Sequence, residues 1–183
     1  MNVDRPLNPA RGRPALAAAN DLPDDAMSIA DWPTGVDDLV AWIRRHSDRA
    51  ADAGRGARPL ETHARVAATW ARRGGACDSL IAAAVLHELP FIEDVPVREA
   101  WLPMPWLRTL FPEAVLGPIR LLGAARAWRA APGRPDDTFL IRPHAARALR
   151  LAEFAEAARR HGPDDSTLPW SALLPVLSRV ALY

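Results

Sequence analysis

Asp78-Ser79-Leu80-Ile81-Ala82-Ala83-Ala84-Val85-Leu86-His87-Glu88 is the stretch that decides how this chain folds. Every residue from Leu80 to Leu86 is apolar, so a helix formed here has no face for water and predicts the central buried element of a domain. Asp78 or Ser79 offers an N-cap, and Pro90 terminates the helix. The pair His87-Glu88 then stands at the end of an apolar run. A buried imidazole and a buried carboxylate both require a partner there.

Working outward, Pro59 suits a first helical position and Glu61 a first turn. Leu60, His63, Val66, Ala67 and Trp70 follow at i, i+3, i+6, i+7 and i+10, which puts them on one helical face. Arg65, Arg72 and Arg73 fall mostly off it, so His63 points inward, and Gly74-Gly75 ends the helix. An earlier helix is expected from about Val36 to Ala51, with Val36, Leu39, Val40 and Ile43 as its stripe. The loop Gly54-Arg55-Gly56 follows it. Beyond Pro90, short helical pieces are expected around Val97–Leu102 and Trp106–Leu110. A longer helix from Pro112 to about Arg129 should kink or break near Pro118. Ala131–Asp137 reads as a loop. Pro143 opens a strong helix to about His161, and Leu173, Leu174, Leu177 and Val180 form the face of a last one, Ser171 to Leu182.

No alternating strand pattern and no internal repeat is present. The expectation is therefore an all-α, single-domain helical bundle over residues 34–183. Residues 1–33, rich in Pro, Ala, Asn and Asp, are expected to form a mobile N-terminal arm.

With 183 residues the chain suffices for one domain with a real core. A formal net charge of +1 gives no footprint for nucleic acid. All 23 basic residues are arginine, a bias that fits a GC-rich genome and also suits phosphate and carboxylate recognition. The single cysteine, Cys77, excludes an internal disulfide and fits a reducing cytoplasm. The N-terminus shows no apolar core of a signal peptide, and the run Leu80 to Leu86 is too short to span a bilayer. Nucleic acid and membrane are thus not expected partners, and a cytoplasmic location is.

His63 and His87, brought together from two buried helices with Glu88 beside the second, are ligand types for a divalent metal. A lone histidine on an apolar face is commonly a hydrogen-bonded core residue; the His63 and His87-Glu88 pairing tips the reading to a metal. A fourth ligand is expected from a later helix, with Glu153 first and Glu156 as rival. Two imidazoles and two carboxylates with open positions suit Mn²⁺, Fe²⁺ or Zn²⁺ and would activate a water. Glu93-Asp94, just past the pair, could orient that water or protonate a leaving group; the plainer alternative is an exposed acidic loop.

These residues resemble the HD-domain metal-dependent phosphohydrolase superfamily, whose signature is a distant His, then His-Asp, then a final Asp. The resemblance runs from about Val40 to His161. Within it, the chain is most similar to the small (p)ppGpp hydrolases of the RelA/SpoT type. His46 and the Arg/Gly loop before Pro59-Leu60-Glu61-Thr62-His63 resemble that family's entry segment, and Ala64-Arg65-Val66-Ala67 its continuation. Ala82 to Glu88 is similar to Ala-Ala-x-Leu-His-Asp, Glu93-Asp94 to a catalytic acidic pair, Phe111 to Ile119 to a Phe-Gly-x-x-Val segment, and Arg150-Leu151-Ala152-Glu153 to Lys-Leu-Ala-Asp. Glutamate stands for aspartate at both Glu88 and Glu153, and two extra residues separate His87-Glu88 from Glu93-Asp94. Arg159 fits the family's late arginine, while Ala157 replaces its asparagine. Phosphonate-cleaving iron oxygenases also resemble Gly75 to Leu80 and Phe111 to Trp128. They need two further histidines, and none occurs between His87 and His144.

The resemblance implies a metal-dependent phosphohydrolase acting on a nucleotide or similar phosphate ester, (p)ppGpp-like molecules included. His63, His87, Glu88 and Glu153 would hold one divalent metal, manganese first, with iron or zinc as alternatives. Glu93 and Asp94 would be catalytic, and Arg65, Arg120 and Arg126 would bind the small phosphorylated ligand. The alternative is a degenerate, inactive HD domain that binds a ligand or partner; iron-dependent oxygenation is the disfavoured third.

Overall fold

The computed structural model describes residues 33–52, 59–89, 106–131 and 137–182, with 48–52 described by backbone alone. All regular structure among them is helical, as expected. The order is α1 (Val36–Asp52), α2 (Leu60–Arg73), α3 (Asp78–Leu86), α4 (Leu107–Leu110), α5 (Glu113–Arg120), α6 (Leu122–Ala130), α7 (Ala145–Arg160) and α8 (Trp170–Val180), with a 3-10 turn at Asp137–Phe139 before α7. But for Pro33, the expected N-terminal arm lies outside the described residues, as do the piece Val97–Leu102 and the loop Gly54-Arg55-Gly56.

The apolar run Leu80–Leu86 is buried throughout and forms the axis of the bundle. It packs against α2, α5, α7 and α8, which leaves no room for a polar face. Each Leu, Ile or Val of this run gains roughly 1.5–3 kcal/mol from removal from water. The alanines between them set how closely the neighbours approach: Ala82, Ala83 and Ala84 are completely inaccessible. The N-cap is Cys77 rather than Asp78 or Ser79. Asp78 sits one position later, in the first turn, where its carboxylate accepts a 2.8 Å bond from Arg179 of α8.

α2 begins one residue later than the proline reading placed it, with Pro59 as its N-cap and Leu60 as its first turn. Leu60, His63, Val66 and Ala67 are buried as their spacing requires, whereas Trp70 is only half-buried and lies beside Arg73 and His161. The end of α2 is set by Gly75, whose φ of +66° is the left-handed conformation glycine adopts without strain. The Ala76 and Gly75 N–H groups return to the carbonyls of Ala71 and Arg72, each at 3.0 Å. A clasp then ties α2 to the entry of α8. Arg65 Nε donates to the Leu168 carbonyl at 2.9 Å, and the Leu168 N–H donates to Thr69 Oγ1 at 2.9 Å.

The segment expected as one long helix is two, α5 and α6, broken at Leu121, where φ −89° and ψ −3° close α5. Pro118 lies within α5, three residues before the break, and lacks the N–H that would continue the hydrogen-bond ladder. α5 approaches α7 at Gly117. A Cβ there would stand 2.4 Å from His144 Cδ2, so only glycine admits the imidazole. His144, with φ 67°, is itself the residue that turns the chain into α7.

Candidate metal centre

The last turn of α3 delivers the site. Continuing the helix would offer the Ala84 carbonyl to the next backbone N–H, but the chain leaves the helix after Leu86. The His87 ring turns back instead, its Nδ1 donating to the Ala84 carbonyl at 2.8 Å. A carbonyl only accepts, so this bond places a proton on Nδ1 and aims Nε2 into the space between α3 and α2. That is how proteins orient a metal-binding imidazole: one ring nitrogen is held by an acceptor, and the other is free to ligate.

His63, on the buried face of α2, points to the same place. Its Nε2 lies 3.2 Å from His87 Nε2. Glu88 Oε1 lies 3.0 Å from His87 Nε2 and 3.6 Å from His63 Nε2. Taken as the sides of a triangle, these distances define a circle of about 1.9 Å radius. A metal at the usual 2.0–2.2 Å from nitrogen and oxygen ligands would fit just above its centre. His87 is fully buried, His63 nearly so, and the Glu88 side chain keeps 26% exposure, so the triangle opens on the Glu88 side. Of the described groups, these three residues alone form such a cluster, with all ligand atoms within 4.8 Å of one another. The donor set therefore fits a borderline or hard divalent ion with positions left open.

Electrostatics keep the triangle ready for a cation. Burial and the neighbouring His87 pull the His63 imidazole down to about 4, so it is neutral at physiological pH with a lone pair to offer. Burial pushes the Glu88 carboxyl upward, but attraction to the His87 and His63 rings, at 3.0 and 3.6 Å, and to Arg126 outweighs that and holds it at about 2. Two guanidiniums complete the surroundings: Arg126 Nη2 of α6 lies 3.4 Å from Glu88 Oε1, and Arg159 Nη1 of α7 lies 4.0 Å from it.

These pKa values fix a pH signature for the metal-free protein. His63 is depressed from its ordinary 6.5, so between about 6.5 and 4 the unfolded chain binds a proton that the folded chain refuses. Glu88 is depressed from 4.5, so the same imbalance continues between about 4.5 and 2. Both contributions are present at neutral pH and are lost on acidification. Urea midpoints measured from pH 7 to pH 4 are expected to fall by the equivalent of a few kcal/mol, since each tenfold change in proton affinity is worth about 1.4 kcal/mol. His63→Leu should flatten the slope between pH 6.5 and 4; an unchanged slope would contradict the buried, neutral state of His63.

The remaining expected site residues fall elsewhere. Glu153 does not reach the triangle: its carboxylate is exposed and pairs with Arg129 at 2.5 Å. Glu156 is bound to Arg159 at 2.9 Å and to Arg160 at 2.9 Å, and the Arg159 hydrogen bond lowers its pKa. Arg65 is spent on the Leu168 carbonyl, and Arg120 is paired with Glu113 on the surface of α5. Of the three expected anion-binding arginines, only Arg126 lies at the site. Glu93 and Asp94 lie outside the described residues. Arg159 is the site residue to which the sequence assigned no binding role.

Comparison with protein-family models, with curated proteins and with solved structures finds no match to this chain. No helix among the described residues is long and apolar enough to cross a membrane.

Proposed function

We propose that this protein is a metal-dependent phosphohydrolase acting in the cytoplasm on a nucleotide or similar phosphate ester, with (p)ppGpp-like molecules among its substrates. The observation that carries the reading is the triangle of His63 Nε2, His87 Nε2 and Glu88 Oε1, sized for one divalent ion and flanked by two arginines. Manganese is the first choice, with iron or zinc as alternatives. A bound ion would supply Lewis acidity toward water and toward a phosphoryl oxygen. Arg126 and Arg159 would hold the remaining phosphoryl oxygens and offset charge that develops on them. His87 is kept in the ligating tautomer by Ala84, and Glu93 or Asp94 would move the proton.

A second reading is favoured by Glu153. Its commitment to Arg129 leaves the HD-like ligand set one carboxylate short, as a binding module without turnover would have it. Phosphate release separates the two. Protein stripped with chelator and reloaded with Mn²⁺ is expected to release pyrophosphate from ppGpp, or phosphate from a panel of nucleotide monophosphates, at least about a hundredfold faster than the stripped protein. Stoichiometric Mn²⁺ binding without release from any ester would overturn the hydrolase and leave the binding module.

A further inference from the structure

Arg126 is incompletely satisfied where it stands. Its Nε is buried without a hydrogen-bond partner among the described residues, and its Nη2 makes only the long 3.4 Å contact to Glu88. The side chain keeps 32% exposure, so water reaches its outer end, but the buried Nε has no such recourse and an anion on the guanidinium edge would relieve it. Its one acidic contact among the described residues is the same Oε1 that faces both histidines. The guanidinium and a divalent ion would therefore compete for one oxygen atom. Placing a dication beside Arg126 and Arg159, with Glu88 and the Glu156 partner of Arg159 as the described carboxylates nearby, also leaves positive charge in excess, which an incoming anion would offset.

Resting on the metal site proposed above, we infer that Arg126 sets the metal affinity of this centre and couples it to anion binding. Arg126 weakens the ion's hold on Glu88 while no anion is present. When a phosphate-like dianion arrives, Arg126 turns from Glu88 to the anion, and the ion binds more tightly. By linkage the effect is reciprocal, so the ion tightens the anion by the same factor. The device makes the loaded centre form chiefly when its anionic ligand is at hand.

The test is Mn²⁺ binding, read from the electron paramagnetic resonance signal of free Mn²⁺, with and without millimolar inorganic phosphate. In the unaltered protein phosphate is expected to lower the Mn²⁺ Kd by about tenfold, within the usual range of coupling between sites. Arg126→Gln should bind Mn²⁺ about tenfold more tightly without phosphate, and phosphate should then add little. Arg126→Lys, which keeps the charge, should behave as the unaltered protein does. Arg179→Gln, the same change of net charge at the Asp78 pair, should shift nothing. The inference is overturned if phosphate leaves the unaltered protein's Kd unchanged, or if Arg126→Gln binds Mn²⁺ equally or more weakly. Absence of Mn²⁺ binding in every variant would instead overturn the metal site itself.

Discussion

His87→Ala is expected to lower divalent-metal affinity by at least about a hundredfold. The expectation starts from the tenfold to hundredfold cost of disturbing even a residue that merely orients a ligand. His87 makes the two shortest sides of the triangle, 3.2 Å to His63 and 3.0 Å to Glu88. The alanine would leave two donors 3.6 Å apart beside two guanidiniums, too little to hold a dication. It would also free the Ala84 carbonyl in a dry environment, costing about 1–3 kcal/mol of stability. His46→Ala provides the comparison. His46 bonds to the Trp42 carbonyl, stacks on the Trp42 ring and is no member of the triangle, so its loss should leave metal binding within about threefold. Metal content measured after gel filtration in Mn²⁺, at equal protein concentration, distinguishes the two. Equal retention by both variants would show that the histidine pair is a core contact only.

Leu86→Ala is expected to be the most destabilising single change near the site. Leu86 is fully buried at the end of α3, the helix against which α2, α5, α7 and α8 all pack. Truncating a leucine in such surroundings costs about 2–5 kcal/mol, through lost burial and the cavity left behind. For a domain of this size that corresponds to a fall in Tm of about 10 °C. Leu86 directly precedes His87 in the chain, so loosening the end of α3 should lower metal affinity as well, though less than removal of the imidazole. Thermal denaturation of the metal-free protein separates the stability effect from the loss of metal. A Tm within about 2 °C of the unaltered value would mean that α3 is not the axis of the core.

The sequence is most legible where side-chain size and polarity leave one solution. Leu80 to Leu86 could only be buried, and the i, i+3, i+7 spacing of Leu60, His63 and Ala67 fixes the face on which His63 lies. Those two facts bring the histidines together without knowledge of the loops between them. α7 is harder to read because its buried face is mostly alanine. Ala148, Leu151, Ala152, Ala155 and Ala158 pack inward, but alanine occurs on exposed faces as readily. Glu153 and Arg159 stand about 120° apart around that helix. The rotation of α7 presents Arg159 to Glu88 and turns Glu153 away to Arg129. Following the one leucine of that face would have favoured Arg159 and demoted Glu153.

Arginine identity is the least legible. With 23 arginines and no lysine, charge alone marks none of them. Arg65 and Arg126 are distinguished only by what the fold brings beside them, a backbone carbonyl for the first and Glu88 for the second. The break between α5 and α6 is expected near Pro118 but falls three residues on, because a missing N–H weakens the ladder without dictating which later residue leaves it.

His63, His87 and Glu88 are expected to hold one divalent ion together. Equilibrium dialysis of chelator-stripped protein against Mn²⁺, Fe²⁺ and Zn²⁺ in turn, followed by elemental analysis, tests this most directly. One ion per chain is expected for at least one of these metals. Retention of none of the three would contradict it.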